Sequence, residues 1–412
     1  GYTADSVSSM STWGYATSIA MLIVALAAPF LGVFGDIRGM RKKLFSFFML
    51  LGVAACAGMA FTPGMDFTSG PVAAGKVATL ILVLYIVSVI GFDASAIYYD
   101  AFLTDVTIED RMDKVSTMGY GLGYIGGSTI PLLIFLIMNL VGVPMLTCLA
   151  FVFGLTAVWW LAFSLPLLKN CEQTSGKPYE KGDVARSIKG VGTTIKEIIA
   201  NKPMLIYILS YFFYIDGVHT VISMATTYGT NLGLDSTGMM LALLLVQILG
   251  LPFCLLYIKC SEKFGARTMV GFGICVYMFI CIFAFFMNSL WQFWVLAVLC
   301  ATSQGGIQAL SRSMYGKLIP DKDRSGEFFG FFDIFGKFSS IMGPALVGVV
   351  SSVVANGMLG AQGLTAQTAT AEQINVINAQ SSHYGILSII IIIIVGAVLY
   401  FGFLPKAEHA KQ

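Results

Sequence analysis

The chain has 412 residues, of which 57% are hydrophobic and 11% charged, with a formal net charge of +2. Soluble domains carry roughly 25% charged residues, so this composition excludes a soluble enzyme and predicts an all-α integral membrane protein whose main partner is the lipid bilayer. The net charge is uninformative in total, its distribution is not, and no nucleic-acid partner is expected; eight cysteines without zinc-site spacing predict neither a metal site nor a disulfide framework.

A bilayer crossing takes about 20 mostly apolar residues. Eleven stretches qualify, at 15–35, 44–61, 77–102, 117–141, 143–168, 204–228, 237–259, 268–288, 291–312, 328–354 and 384–404. Every Lys and Arg except Lys76 and Lys337 falls in or at the edge of alternate loops, the C-terminal tail with Lys406 and Lys411 included. The positive-inside rule then predicts a cytoplasmic C-terminus and residues 1–14 outside. An outer start with Gly first and no signal peptide predicts a further helix upstream.

The first two apolar runs are joined by "GDIRGMRKK" (35–43), whose order of acid, two residues, Gly, one residue and Arg returns in "SEKFGAR" (261–267). The segments "EDRMDKVSTMGYG" (109–121) and "KDRSGEFFGFF" (322–332) echo each other in the same way. Such echoes predict two copies of a six-helix unit, a transporter architecture. Residues 1–168 form one half with five helices, 169–203 a cytoplasmic linker, and 204–412 a six-helix half.

Run 77–102 carries Asp93 and Asp100, seven residues apart; Asp100 and Asp105 lie near the basic boundary and read as caps or gates. "GYGLGYIGG" (119–127) holds a literal G-x-G-x-x-G, but a dinucleotide site needs a preceding strand. Gly119, Gly123 and Gly127 instead share one helix face suited to close packing. Run 204–228 carries Asp216, His219, Thr220, Ser223 and Thr227 as a polar stripe. At 1.5 Å per residue, Asp216 and His219 lie about 18–22 Å from the cytoplasmic end, near the midplane. Gln304, Gln308, Ser311 and Arg312 form a second stripe, and run 328–354 carries Asp333 and Lys337 four residues apart. Lys337 is about 14 Å deep, too far in to snorkel easily. Loop 355–383, rich in Ala, Gln, Thr and Asn, reads as a mobile cap.

Ionisable groups inside a bilayer are costly and mark function by default. Asp333 and Lys337 read either as a self-neutralising pair or as cavity groups, and Gln304 and Gln308 as solute contacts or interhelical glue. The long stripe favours a wet cavity at Asp216 and His219. An ammonium at Lys337 with carboxylates at Asp93 and Asp216 suits a zwitterion or small polar metabolite. Asp216 with His219 could carry a coupling proton. The expected solute and proton site is thus Asp93, Asp216, His219, Gln304, Gln308, Asp333 and Lys337.

"GDIRGMRKK" resembles the loop between helices two and three of major facilitator superfamily transporters. "GFDASAIYYDAFLTD", "YFFYIDGVHTVISMATTYG", "SQGGIQALSRSMYGKLIP" and "EFFGFFDIFGKFSSIMGP" are similar to stretches of the vacuole effluxer-like family, in the same order from residue 12 to 404. The resemblance implies a major facilitator fold of two pseudo-symmetric six-helix bundles, here with the first helix absent. It implies a cytoplasmic gate in which Asp36 and Arg41 form a charge relay about a tight turn at Gly39, with Glu262, Gly265 and Arg267 as a second latch. The expected activity is alternating-access secondary transport, without cofactor or catalysis, by a monomer in the plasma (bacterial inner) membrane. Fungal members are associated with vacuolar amino-acid efflux, so an amino acid, with proton coupling, is the first expectation. A lipid or lysolipid transporter is the near alternative, with Phe212, Phe213, Phe328, Phe329 and Phe332 leaving room for an apolar half-cavity. A membrane transferase is the more distant one, since Glu372 with His383 and the charges of 169–203 have no catalytic spacing.

Overall fold

A computed structural model describes residues 6–65, 71–178, 183–365 and 368–404. Lys181, Lys406 and Lys411 of the basic loops, and residues 1–5, lie outside the described residues. The described secondary structure is helical: α1 (Ser6–Gly35), α2 (Met40–Phe61), α3 (Pro71–Ala101), the single turn α4 (Leu103–Val106), α5 (Glu109–Tyr124), α6 (Ile130–Leu140), α7 (Met145–Asn170), α8 (Asp183–Ala200), α9 (Lys202–Asn231), α10 (Ser236–Phe264), α11 (Ala266–Phe285), α12 (Leu290–Leu318), α13 (Ser325–Ala361) and α14 (Ala371–Val398). A π-helical turn, Ile125–Thr129, fuses α5 and α6 into one span. Among the described residues, eleven segments are long and apolar enough to cross a membrane, one for each apolar run of the sequence.

Helix ends follow their capping chemistry. Asn201 accepts from Met204 N at the start of α9, Asp235 from Gly238 N at α10, and Thr370 with Gln373 forms a capping box at α14. Prolines inside α1, α7, α10 and α13 (Pro29, Pro166, Pro252, Pro344) are tolerated as membrane helices tolerate them. Two expectations change. Loop 355–383 is mostly helix, because α13 runs on through Gly357 and Gly360 to Ala361 and α14 begins at Ala371, with Gly363 turning at φ +68°. Linker 169–203 contains α8, a helix that reading for apolar runs does not detect.

The chain divides into two compact units. The first comprises residues 1–112, 126–195 and 319–337. Its core joins α1 to α3 through Val24, Ala28 and Ile97, with Ile334 of α13 packed against them. Phe45, Met49 and Tyr98 form a second cluster, and Cys56, Met59 and Ala157 a third between α2 and α7. The second unit comprises residues 113–125, 196–318 and 338–412. There Tyr207 and Tyr214 of α9 both reach Ser311 of α12, donating to its carbonyl at 2.8 Å and meeting its hydroxyl at 2.6 Å, while Ser210 donates to the Gly396 carbonyl of α14. These three buried hydroxyls thus find partners across helices, as a lipid surround favours. Leu26, Phe92, Val158 and Phe286 are each more than half exposed and supply an apolar exterior for lipid.

Candidate functional site

The turn between α1 and α2 is built around Gly39, at φ +79°, the left-handed conformation that glycine adopts without strain. It places Arg41, 0% exposed, at the start of α2. Arg41 Nη2 donates to Asp36 Oδ1 and to Ser325 Oγ, both at 2.9 Å. Its Nη1 donates to the Ala101 carbonyl, to Ser175 Oγ and to Asp105 Oδ2. Asp36 in turn accepts from Gly326 N at 2.7 Å and Glu327 N at 2.8 Å. A carboxylate there meets the unsatisfied amides and positive end of the α13 dipole. Burial pushes the Asp36 carboxyl up to about 7, against the lowering pull of Arg41 and of the Glu327 and Gly326 amides.

The approach of α1 to α13 is close. A Cβ on Gly326 would stand 2.5 Å from the Gly32 carbonyl oxygen, and one on Gly32 would stand 2.1 Å from that of Gly326. The linker straps this contact. Gln173 Oε1 accepts from the Gly39 and Arg41 amides and its Nε2 donates to the Gly35 carbonyl. Thr174 and Ser175 donate to Asp105 Oδ1, Lys177 exchanges backbone hydrogen bonds with Asp36 and Arg38, and Gly176 N donates to Asp323. Thr194 of α8 donates to Glu327 Oε1, and Arg324 spans both residues.

The second charged turn has different partners. Gly265 repeats the positive φ at +83°. Glu262, however, lies 3.8 Å from Lys114 with both side chains exposed, while Arg267 donates to the Leu404 carbonyl at 2.8 Å. The repeated motif therefore repeats a glycine at positive φ, with ψ −1° at Gly39 and 148° at Gly265, and repeats neither the turn itself nor the buried ion pair.

Deeper in the first unit, Lys337 Nζ lies 3.0 Å from Asp333 Oδ1, one turn away on α13, and 3.1 Å from Asp93 Oδ1 of α3. Lys337 is 7% and Asp93 8% exposed. Each carboxylate keeps a second oxygen, Asp93 Oδ2 and Asp333 Oδ2, that is buried with no hydrogen-bond partner among the described residues. The Asp333–Lys337 pair expected from the spacing on α13 is thus part of a triad, whose member on α3 that spacing does not show.

In the second unit Asp216 is fully buried. Its Oδ1 accepts from Gly343 N of α13 at 2.9 Å and from Thr220 Oγ1 at 3.4 Å, and its Oδ2 is buried without a partner among the described residues. His219, Gln304 and Gln308 are half-buried on α9 and α12. Asp105 stands at the centre of the turn cluster. Local pattern had marked it only as a cap or gate, and Gln173, Ser175 and Ser325 carry no local signal, since their partners lie between 70 and 284 residues away.

The family model described as vacuole effluxer Atg22-like matches residues 3–109 and 104–360. The chain belongs to that family. The MFS-type transporter YxiO of Bacillus subtilis (strain 168) is 40% identical over 399 residues, covering 95% of this chain and 84% of YxiO. Autophagy-related protein 22-1 of Penicillium rubens is 25% identical over 60% of this chain, and the match spans 46% of that longer protein. The solved structure of the proton:xylose symporter XylE superposes with a TM-score of 0.70 at 16% identity, covering 99% of this chain and 89% of XylE. FucP, in the outward conformation, superposes with a TM-score of 0.60 at 12% identity, covering 95% of this chain and 89% of FucP. This Atg22-like chain is therefore a multi-pass membrane transporter with the major facilitator fold.

Proposed function

We propose that the protein is an alternating-access secondary transporter of a small polar solute, with an amino acid as the foremost candidate and protons as the coupling ion. The observation that carries this reading is the Asp93–Lys337–Asp333 triad, three ionisable side chains inside membrane-spanning helices with two carboxylate oxygens left without partners among the described residues. Groups so costly to bury mark a solute or ion path. Asp216, fully buried, adds a second such carboxylate, with His219, Gln304 and Gln308 as further polar contacts.

In this reading the Asp36–Arg41–Asp105 cluster is the latch that closes the basic ends of α1 and α13, and releasing it admits solute from that side. Gly39 shapes the first turn, while Glu262, Gly265 and Arg267 shape the second without a buried pair. The basic loops and C-terminus face the cytoplasm, the chain acts as a monomer in the plasma membrane, and its halves are the segments 1–168 and 204–412. No side chain is assigned a catalytic role.

The test is uptake of a labelled amino-acid mixture into proteoliposomes holding the full chain, with a proton gradient of either direction or none. Gradient-dependent uptake abolished by Lys337→Ala and Asp216→Asn supports the reading. No uptake by a monodisperse, folded sample turns attention to lysolipids. That alternative draws less from the aromatic residues than their sequence positions imply, because Phe328, Phe329 and Phe332 are packed inside, at 0%, 1% and 5% exposure.

A further inference from the structure

The triad does not balance its charge. Lys337 supplies one ammonium against the carboxylates of Asp93 and Asp333, each of which gives it one oxygen. Lys337 and Asp93 are more than nine-tenths buried, and the free oxygens Asp93 Oδ2 and Asp333 Oδ2 are shielded from solvent. An uncompensated charge in such surroundings is costly even after relaxation. The cheapest remedy is one further positive charge that also donates hydrogen bonds, because an ionised carboxylate only accepts.

We propose that Asp93 and Asp333 form an exchange site for a single positively charged hydrogen-bond donor: the primary ammonium group of the transported solute when it is bound, and a proton when it is absent. This deepens the transporter reading and rests on it for the solute, while the proton-bound state belongs to the protein alone. An ammonium group brings three donors, enough for both free oxygens. A proton can sit on one of the two and hydrogen-bond outward. The proton and the ammonium exclude each other at these two carboxylates, so solute and proton move in opposite directions, one for one. Lys337 holds the two carboxylates at the spacing both occupants need and stays charged throughout. The ammonium is then the group that is recognised, and solutes lacking it are refused.

Two measurements on the full chain separate this site from the wider transporter reading. The first needs no transport. A hydrophobic carbodiimide reacts with protonated, buried carboxyl groups, and peptide mass spectrometry locates the adduct. The site predicts an adduct on Asp93 or Asp333 in the solute-free protein, reduced at least fivefold by excess labelled amino-acid mixture and unaffected by the matching 2-hydroxy acids. No adduct on either residue between pH 5.5 and 8 overturns the proposal, whatever the transport assay shows.

The second measurement uses proteoliposomes loaded with a pH-sensitive dye. Amino-acid uptake should be faster into vesicles with an acidic lumen and should carry one proton out per solute. Asp93→Asn and Asp333→Asn, each of which leaves a neutral pair with Lys337, should lower uptake at least tenfold and abolish the proton movement while remaining monodisperse. Uptake within twofold of wild type in both variants overturns the site and spares the transporter reading. Uptake driven by an acidic exterior, or by sodium at fixed pH, overturns exchange. An adduct that amino acids suppress, in a sample that takes up no labelled solute, supports the site and sinks the transporter reading.

Discussion

Arg41 shows how one side chain can gather distant parts of a chain. Its five polar contacts reach the α1–α2 turn, the end of α3, the linker and the start of α13. Removing one member of a buried ion pair strands the others and costs about 3–5 kcal/mol. Arg41→Ala should therefore lower the thermal midpoint in detergent clearly, and Arg41→Lys should recover little of it, since an ammonium cannot present the same planar fork. Asp36 adds a pH dependence. Burial in the cluster raises its carboxyl to about 7 from an ordinary value of 3.8. In the proposed latch, the closed state then binds more protons than an open one between these values, so falling pH favours closure and rising pH through 7 weakens it. Spin labels at the exposed positions Arg38 and Lys322 should report a larger close-distance population at pH 5 than at pH 8, and Asp36→Asn should flatten that difference.

At the scale of elements, the α1–α13 contact depends on the absence of side chains. Gly326→Ala sets a methyl 2.5 Å from the Gly32 carbonyl oxygen and 2.7 Å from Asp36 Oδ1. Overpacking of that kind costs about 1–3 kcal/mol and should outweigh the gain in helix propensity, about 1 kcal/mol for Gly to Ala. Gly357→Ala, on the same helix with nothing within 4 Å, is the control and should leave the thermal midpoint level or slightly raised. The spans themselves were legible because twenty apolar residues in a row have few soluble uses. The strap was not, because Gln173, Ser175 and Gly176 sit in a polar stretch whose meaning depends wholly on its distant partners. Helix α8 escaped for a related reason: an amphipathic helix shows no continuous apolar run. Asp333 and Lys337 announced themselves by a four-residue spacing, while Asp93, 244 residues before Lys337, joined them only in three dimensions.

For the whole molecule, the distribution of positive charge makes a prediction about sidedness. Lys263→Cys, in a basic loop, and Asn288→Cys, in the loop that follows on the opposite side, are both at exposed positions. With the native cysteines replaced, a membrane-impermeant maleimide should label Asn288→Cys in intact cells and Lys263→Cys only after permeabilisation. The reverse pattern would invert the orientation and would place the Asp36–Arg41 cluster at the outer mouth.

The partners of Asp36 and Arg41 at the head of α13 are 284 to 291 residues further along the chain. At about 5–20 residues per second of synthesis, the turn waits on the order of 15–60 s before those partners exist. Throughout that interval Arg38, Arg41, Lys42 and Lys43 are a bare cluster of positive charge between two greasy segments, the form in which charge directs insertion. The same few residues thus serve twice at different times, first as a signpost for the growing chain and only at the end as a fastening.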